Sequence, residues 1–228
     1  MLYIVSNTPF DATPKTTHLK LCEVKFFAFE TADVPSFDGV VFTSKNGVRA
    51  FCQQSHFRKT CAFCVGEATA KAATEAGFAE VFAGAGDAAT FKCELLEQIF
   101  KNEKKEGEKP RLLLIRAQKV AFELGEFLRK NDVFVKEVVG YQNAILPHSP
   151  LLKSQKPPKN AQILFTSPLN FEAFLWHFGW EESYHAYAIG KTTARAINEH
   201  ETTHATAYIC QKTKLNACIE EILNLSKL

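Results

Sequence analysis

Val40-Val41-Phe42-Thr43-Ser44 and, 123 residues later, Ile163-Leu164-Phe165-Thr166-Ser167 are one phrase written twice: an apolar triplet closed by Thr-Ser. A short apolar run that ends on hydroxyl residues reads as a buried strand entering a turn. A second pair keeps almost the same step. Val65-Gly66-Glu67-Ala68-Thr69-Ala70-Lys71-Ala72 returns, 124 residues on, as Ile189-Gly190-Lys191-Thr192-Thr193-Ala194-Arg195-Ala196. Chance matches would not hold register over two separate motifs, so the chain is read as an ancient duplication.

Outward from these phrases, strand-like and helix-like runs alternate. Helical patterns cover Asn46–Gln54, Glu67–Ala76 (stopped by Gly77), Ala88–Phe100 and Ala121–Lys130. Short apolar runs at Phe63–Val65, Val81–Phe82, Leu112–Ile115 and Val133–Val139 lie between and after them. Such βα alternation predicts parallel sheets with helices on both faces. Two stretches interrupt it, Glu30–Asp38 and the Pro- and Lys-rich Asn143–Asn160, and both read as connectors. Lys101–Lys109 is a charged run with the character of a solvated helix end or loop. Leu2–Val5 and Val24–Phe29 precede the first repeat and need a sheet to join. One arrangement pairs them with the C-terminal half, so that the chain crosses between domains twice.

Composition narrows the function. The 228 residues suit one large domain or two small ones. With 27 basic and 25 acidic residues the net charge is +2, too balanced for a general nucleic-acid binder. No apolar stretch reaches membrane-spanning length, and Met1–Ser6 lacks the basic flank of a signal peptide. A cytoplasmic protein is expected. Seven cysteines at irregular spacings read as reduced thiols. Cys61 and Cys64 form a CxxC without a second ligand pair, on a stretch that reads as buried strand, so neither a zinc site nor a redox pair is expected. The seven histidines are scattered without metal-ligand spacing. No nucleotide, hydrolase or zinc-protease motif is present, and no cofactor or metal is expected.

In open parallel sheets ligands bind outside the carboxyl ends of the strands. The candidates are therefore the strand-to-helix turns: Thr43-Ser44-Lys45-Asn46, Gly66-Glu67-Ala68-Thr69, Thr166-Ser167-Pro168-Leu169-Asn170 and Gly190-Lys191-Thr192-Thr193. Ser, Thr and Asn at these places also serve as ordinary helix N-caps. Their symmetric recurrence favours a second use. Such turns present N–H donors and the positive end of a helix dipole. Two sets facing across a cleft would suit a ligand with many negative groups, and Gly66 and Gly190 would let the backbone approach it closely.

Several phrases together resemble the uroporphyrinogen-III synthase family: Phe42-Thr43-Ser44-Lys45-Asn46-Gly47-Val48-Arg49-Ala50-Phe51, Val65–Ala70, Leu113-Leu114-Ile115-Arg116, Val138-Val139-Gly140-Tyr141-Gln142, Phe165-Thr166-Ser167-Pro168 and Ile189–Ala196. The resemblance implies two similar Rossmann- or flavodoxin-like α/β domains joined by a two-stranded linker. On it, residues 1–32 with 148–228 form one domain, 38–140 the other, and 33–37 and 141–147 the linkers. It implies cyclisation of hydroxymethylbilane, a linear tetrapyrrole, to uroporphyrinogen III with inversion of the last ring and loss of water. Tyr141 aligns with the family's active-site tyrosine, as a donor to the departing hydroxyl near a strand end beside the cleft. Thr192 aligns with a cleft threonine. Ser44, Asn46, Gly66, Thr69, Ser167, Gly190, Lys191 and Thr193 occupy comparable turns, and Arg116 resembles a position near the cleft. The chain departs from many members in carrying Ser6-Asn7-Thr8 after the first strand and Ala117 after Arg116. A monomer without membrane or nucleic-acid partners is expected, with transient contact to the enzyme that makes the bilane.

Two other readings share the duplication. One is a two-lobed protein that binds a small anion without chemistry, although exported proteins of that kind carry signal peptides. The other is a two-domain glycosyltransferase, although such enzymes are usually much longer.

Overall fold

The computed structural model describes residues 1–86, 88–101, 109–120, 122–212 and 214–225. The chain divides into two compact units, Met1–Glu23 with Ala144–Leu228, and Val24–Asn143. The first unit opens with β1 (Leu2–Val5) and β2 (Thr16–Leu19); β3 (Cys22–Phe26) carries the chain into the second. That unit runs β4 (Gly39–Phe42), α1 (Lys45–Gln54), β5 (Cys61–Cys64), α2 (Glu67–Glu75), β6 (Val81–Ala83), α3 (Ala88–Lys101), β7 (Arg111–Ala117), α4 (Leu124–Lys130) and β8 (Phe134–Ile145). The chain then adds α5 (Pro150–Lys153), β9 (Gln162–Phe165), α6 (Pro168–Phe178), β10 (His185–Ala188), α7 (Lys191–Asn198), β11 (Ala207–Ile209) and α8 (Leu215–Leu225) to the first unit.

The second unit holds a sheet of order β3-β8-β7-β4-β5-β6, and the first a sheet of order β11-β10-β9-β1-β2. Pairing among β4 to β8 and throughout the first sheet is parallel. Matching β9, β10 and β11 to β4, β5 and β6 puts β1 and β2 in the places of β7 and β8. The duplicated units thus share one spatial strand order with a permuted chain order. Leu2 to Val5 pair with Gln162 to Phe165 as Gly39 to Phe42 pair with Leu112 to Ile115.

The phrases that repeat are the strands buried on both faces. Val40 and Phe42 point to the layer of α1 and α2, with Phe51, Ala73 and Phe78. Val41 points to the opposite layer, with Phe91, Leu95, Leu124 and Leu128. Ile163 and Phe165 face Phe171, Phe174 and Ile197, whereas Leu164 faces Cys218, Ile219 and Ile222. Alternation that is apolar on both sides excludes a solvated face and forces the parallel, two-sided architecture. Gly77, at φ +93°, ends α2 where the sequence stops being helical.

The expected domain boundaries need correction. Residues 24–32 do not join the C-terminal half, because Val24, Phe26 and Phe29 pack against the core of Phe42 and Phe51. Residues 33–37 are not a linker. Val34 and Phe37 are buried in the same core, 0% and 5% exposed, and Lys136 Nζ lies 2.6 Å from Asp33 Oδ2. The stretch expected as linker from 141 is strand to Ile145. The chain crosses between units within β3 and β8. Leu146 N–H donates to the Leu21 carbonyl and Phe27 N–H to the Gly140 carbonyl, so these two segments run antiparallel. Helix α4 starts at Leu124. Its expected start, Ala121, and residues 102–108 of the charged run lie outside the described residues.

Phe174, fully buried, has ring centroids of Phe165, Phe178 and Tyr184 at 5.4, 5.2 and 5.9 Å. Phe174→Ala is expected to lower the unfolding free energy by about 3–5 kcal/mol. Urea denaturation checks it, and a loss below about 1 kcal/mol would contradict the packing described.

Candidate functional site

The strand orders place a topological switch point between β4 and β7 in one unit and between β9 and β1 in the other. At the carboxyl ends beside them stand the turns that open α1, α2, α6 and α7. Their capping residues match in pairs. Ser44 has φ −161°, ψ 163° and Ser167 φ −162°, ψ 161°; Gly66 has φ −167°, ψ 173° and Gly190 φ −171°, ψ 175°. The duplication is therefore retained in the backbone of the very turns that the sequence singled out.

The serine pair is self-capped. Ser44 Oγ accepts from the N–H groups of Asn46 at 3.2 Å and Gly47 at 3.4 Å, and Ser167 Oγ accepts from Asn170 N–H at 3.2 Å. Behind Ser167 the buried Asn170 donates from Nδ2 to Thr166 Oγ1 at 2.8 Å, and Thr166 donates on to the Val5 carbonyl at 3.0 Å. That chain ties the end of β9 to the end of β1.

The glycine pair lacks side-chain caps, so the first N–H groups of α2 and α7 are not occupied by their own cap. The two positions differ in what surrounds them. A Cβ on Gly66 would lie 2.8 Å from Gly86 Cα, whereas one on Gly190 would meet nothing within 4 Å. Gly66 is accounted for by packing, contrary to the expectation that it makes room for a ligand. Gly190 is neither strained nor crowded. Charge also separates them: Glu67 occupies the first turn of α2, and Lys191 that of α7. An anion is repelled at the first and attracted at the second. Lys191 and Thr192 are exposed; Thr69 and Thr193, at matching positions, are 5% and 4% exposed and belong to the packing of their helices.

Tyr141 meets Ser44. Its Oη lies 2.6 Å from Ser44 Oγ, across 97 positions of sequence. A shift in strand register brings it there. Arg116 pairs with Val139 but Ala117 with Tyr141, leaving Gly140 as the extra residue of a bulge. Val133, just before β8, and Val135 within it face the α3–α4 layer, and Val138 faces the α1–α2 layer. Strict alternation would send residue 141 to the α3–α4 side. The bulge turns Tyr141 into the core of Phe42 and Phe51. Glycine fits the bulge because a Cβ there would sit 2.8 Å from Ile115 Cγ2 and 3.0 Å from Ala50 Cβ. Tyr141 is thus within a strand rather than near its end, and only 4% exposed, where an open position had been expected.

Arg116 is also differently employed. Nε lies 2.8 Å from Glu137 Oε2, and Nη1 donates to the Ala117 carbonyl at 3.2 Å and the Gln118 carbonyl at 3.5 Å. These contacts engage the guanidinium with its own chain through charge at Nε, whose N–H has no aligned acceptor, and through hydrogen bonds at Nη1. Sequence reasoning missed Glu137, Gln118 and the Ser44–Tyr141 contact. Gly140 inside a strand was the one available sign of the bulge.

The seven cysteines are free thiols. Burial, with a smaller contribution from Cys61, pushes Cys64 up to about 12; burial, aided by Glu80, pushes Cys61 up to about 11. The two side chains face opposite layers of the sheet, Cys61 that of Phe91 and Cys64 that of Phe42. Among the described residues no three His, Cys, Asp or Glu side chains gather as metal ligands, and no helix is long and apolar enough to cross a membrane.

The family model described as uroporphyrinogen-III synthase HemD matches residues 21–220. Among solved structures, uroporphyrinogen-III synthetase from Helicobacter pylori is similar at TM-score 0.76 and 26% identity, over 98% of each chain. A mutant uroporphyrinogen III synthase from the extremely thermophilic bacterium Thermus thermophilus shares the fold at TM-score 0.54 and 15% identity, over 94% of this chain and 91% of that one. No match emerges among curated proteins.

Two outcomes are expected here. Gly66→Ala is expected to destabilise by about 1–3 kcal/mol through overpacking, while Gly190→Ala leaves the thermal midpoint unchanged; paired melting curves test the contrast. The raised thiols make the folded chain hold protons that the unfolded chain releases. Their stabilisation is intact below the ordinary thiol value of 9.0 and is lost as pH climbs towards 11 and 12. Urea midpoints from pH 8 upward should therefore fall, and fall less steeply in a Cys64→Ala variant.

Proposed function

We infer a course of reaction from one premise: the chain belongs to the uroporphyrinogen-III synthase family. It is a lyase of tetrapyrrole biosynthesis, and the two rival readings, anion carrier and glycosyltransferase, fall away. Its substrate is hydroxymethylbilane, whose acetate and propionate arms make it a polyanion. The hydroxyl on the first ring leaves as water, drawn off by a donated proton and pushed by the pyrrole nitrogen, and an azafulvene remains. The far pyrrole attacks through its substituted carbon to give a spiro intermediate. That intermediate fragments and recloses with the last ring inverted.

The protein's task is to hold a flexible chain with its ends in reach of each other, since fixed orientation supplies a large part of the barrier reduction. The pairing of Ser44 with Tyr141 at 2.6 Å carries the assignment of the proton donor. A serine hydroxyl has one proton and two lone pairs. Two N–H groups at the start of α1 point to the lone pairs of Ser44. Its proton is then directed to Tyr141 Oη, and the phenol's own proton is left for another acceptor, the departing hydroxyl. A phenol 4% exposed is also shielded from bulk water, so water competes little for its proton.

The carboxylate arms are assigned to the turns. Gly190, Lys191 and Thr192 favour an anion most, because the turn is open, uncapped and basic. Ser167 and the side chain of Asn46 are secondary contacts. The same reading extends to a monomer in the cytoplasm, and contact with the bilane-producing enzyme would shorten the life of a substrate that closes by itself.

Tyr141→Phe is expected to lower kcat by about 100-fold or more and to shift the product toward isomer I, the spontaneous closure product. Ser44→Ala should lose less, roughly ten-fold, since it orients the phenol without replacing it. Separation of product isomers by chromatography measures both. Wild-type yield of isomer III from Tyr141→Phe would remove the phenol from the mechanism.

A further inference from the structure

A bulge is a local break in a ladder, and sliding the register back by one residue would return Tyr141 to the α3–α4 side. Something must hold the irregular pairing of Ala117 with Tyr141. The Gln118 N–H donates to the Tyr141 carbonyl at 2.8 Å. The carbonyls of Ala117 and Gln118 accept from Arg116 Nη1. Arg116 is in turn held by Glu137, whose second oxygen lies 2.5 Å from Arg129 Nη2. These groups are partly shielded: the Glu137 side chain is 17% exposed and that of Arg116 24%. The carboxylate fits closely against α4, where a Cβ on Gly125 would collide with Glu137 Oε1.

We propose that Glu137 is a positioning residue for Tyr141, acting through Arg116 and the Ala117–Gln118 turn. This rests on the assignment of Tyr141 as proton donor. The arrangement is a brace on the opposite side of the sheet from the phenol. Arg129 and Gly125 aim the carboxylate, the carboxylate holds the guanidinium by charge at 2.8 Å from Nε without an aligned hydrogen bond, and Nη1 of the guanidinium donates to two carbonyls at the end of β7. The turn they define delivers the N–H that pins the Tyr141 backbone. The phenol is anchored at its other end by Ser44, so its reach is set from both sides. Misplacement of such a group by about 1 Å is enough to cost as much as 100-fold in rate.

The test uses Glu137→Gln, which keeps the volume but removes the charge that orients Arg116. The expected result is a drop in kcat of roughly ten-fold with KM changed by less than about two-fold, since the arms of the substrate are held elsewhere. The share of isomer I should rise in parallel. In a Tyr141→Phe background the same substitution should have no further effect on kcat, because its path runs through the missing hydroxyl. Arg129→Met, at a half-exposed position, should give a smaller loss in the same direction, and it carries the test if Glu137→Gln does not fold. Wild-type kcat in Glu137→Gln, or in Arg129→Met where that variant stands in, overturns the proposal while Tyr141→Phe remains impaired. So do losses that add fully in the double variant, as a general structural defect would. A fully active Tyr141→Phe overturns the underlying assignment instead.

Discussion

Burial of the strands on both faces is the constraint from which the rest follows. Val40, Val41 and Phe42, like Ile163, Leu164 and Phe165, are wholly removed from solvent, so helices must cover both sides of each sheet. Helices on both sides require crossover connections, and crossovers make the strands parallel. Parallel strands deliver every strand-to-helix turn to one edge of the sheet. Within each unit the two turns, Ser44 and Gly66 in one and Ser167 and Gly190 in the other, therefore stand at the carboxyl edge of that unit's sheet.

Duplication supplied these turns in pairs, and divergence gave the members different work. The Ser44 and Ser167 caps keep the same backbone angles, yet only Ser44 has a phenol beside it. The glycine caps are likewise superposable in conformation. One is filled by Gly86 and guarded by Glu67; the other is open and carries Lys191. The permuted chain order adds a second asymmetry. Because β1 and β2 come from the N-terminus in one unit and β7 and β8 close the other, only the second unit has the long strand whose bulge presents Tyr141.

That bulge links local sequence to chemistry. Gly140 is the only residue type that clears Ile115 and Ala50 there, and the extra residue changes which layer the next side chain enters. An enclosed phenol, a serine cap and a brace of Glu137, Arg116 and Arg129 then form a continuous set of hydrogen bonds and ion pairs around one strand end. In the reading proposed above, carboxylate binding and proton donation are separated: the first is assigned to the open, uncapped turn at Gly190, the second to a side chain that meets the capped turn at Ser44.

Much of this was written in the sequence. Periodicity and the repeated phrases determined the α/β class, the duplication and the positions of the four turns, because apolar runs and capping residues act locally. The family phrases marked Tyr141. Tertiary structure alone decided the rest. Where the units divide depended on whether Val24, Phe26 and Phe29 found a core, and no local pattern states which one. The use of Arg116 depended on Glu137 across a ladder, and the meeting of Tyr141 with Ser44 depended on a one-residue register shift. Pairing between distant strands fixes such contacts, and register is a property of two segments together that neither segment encodes by itself.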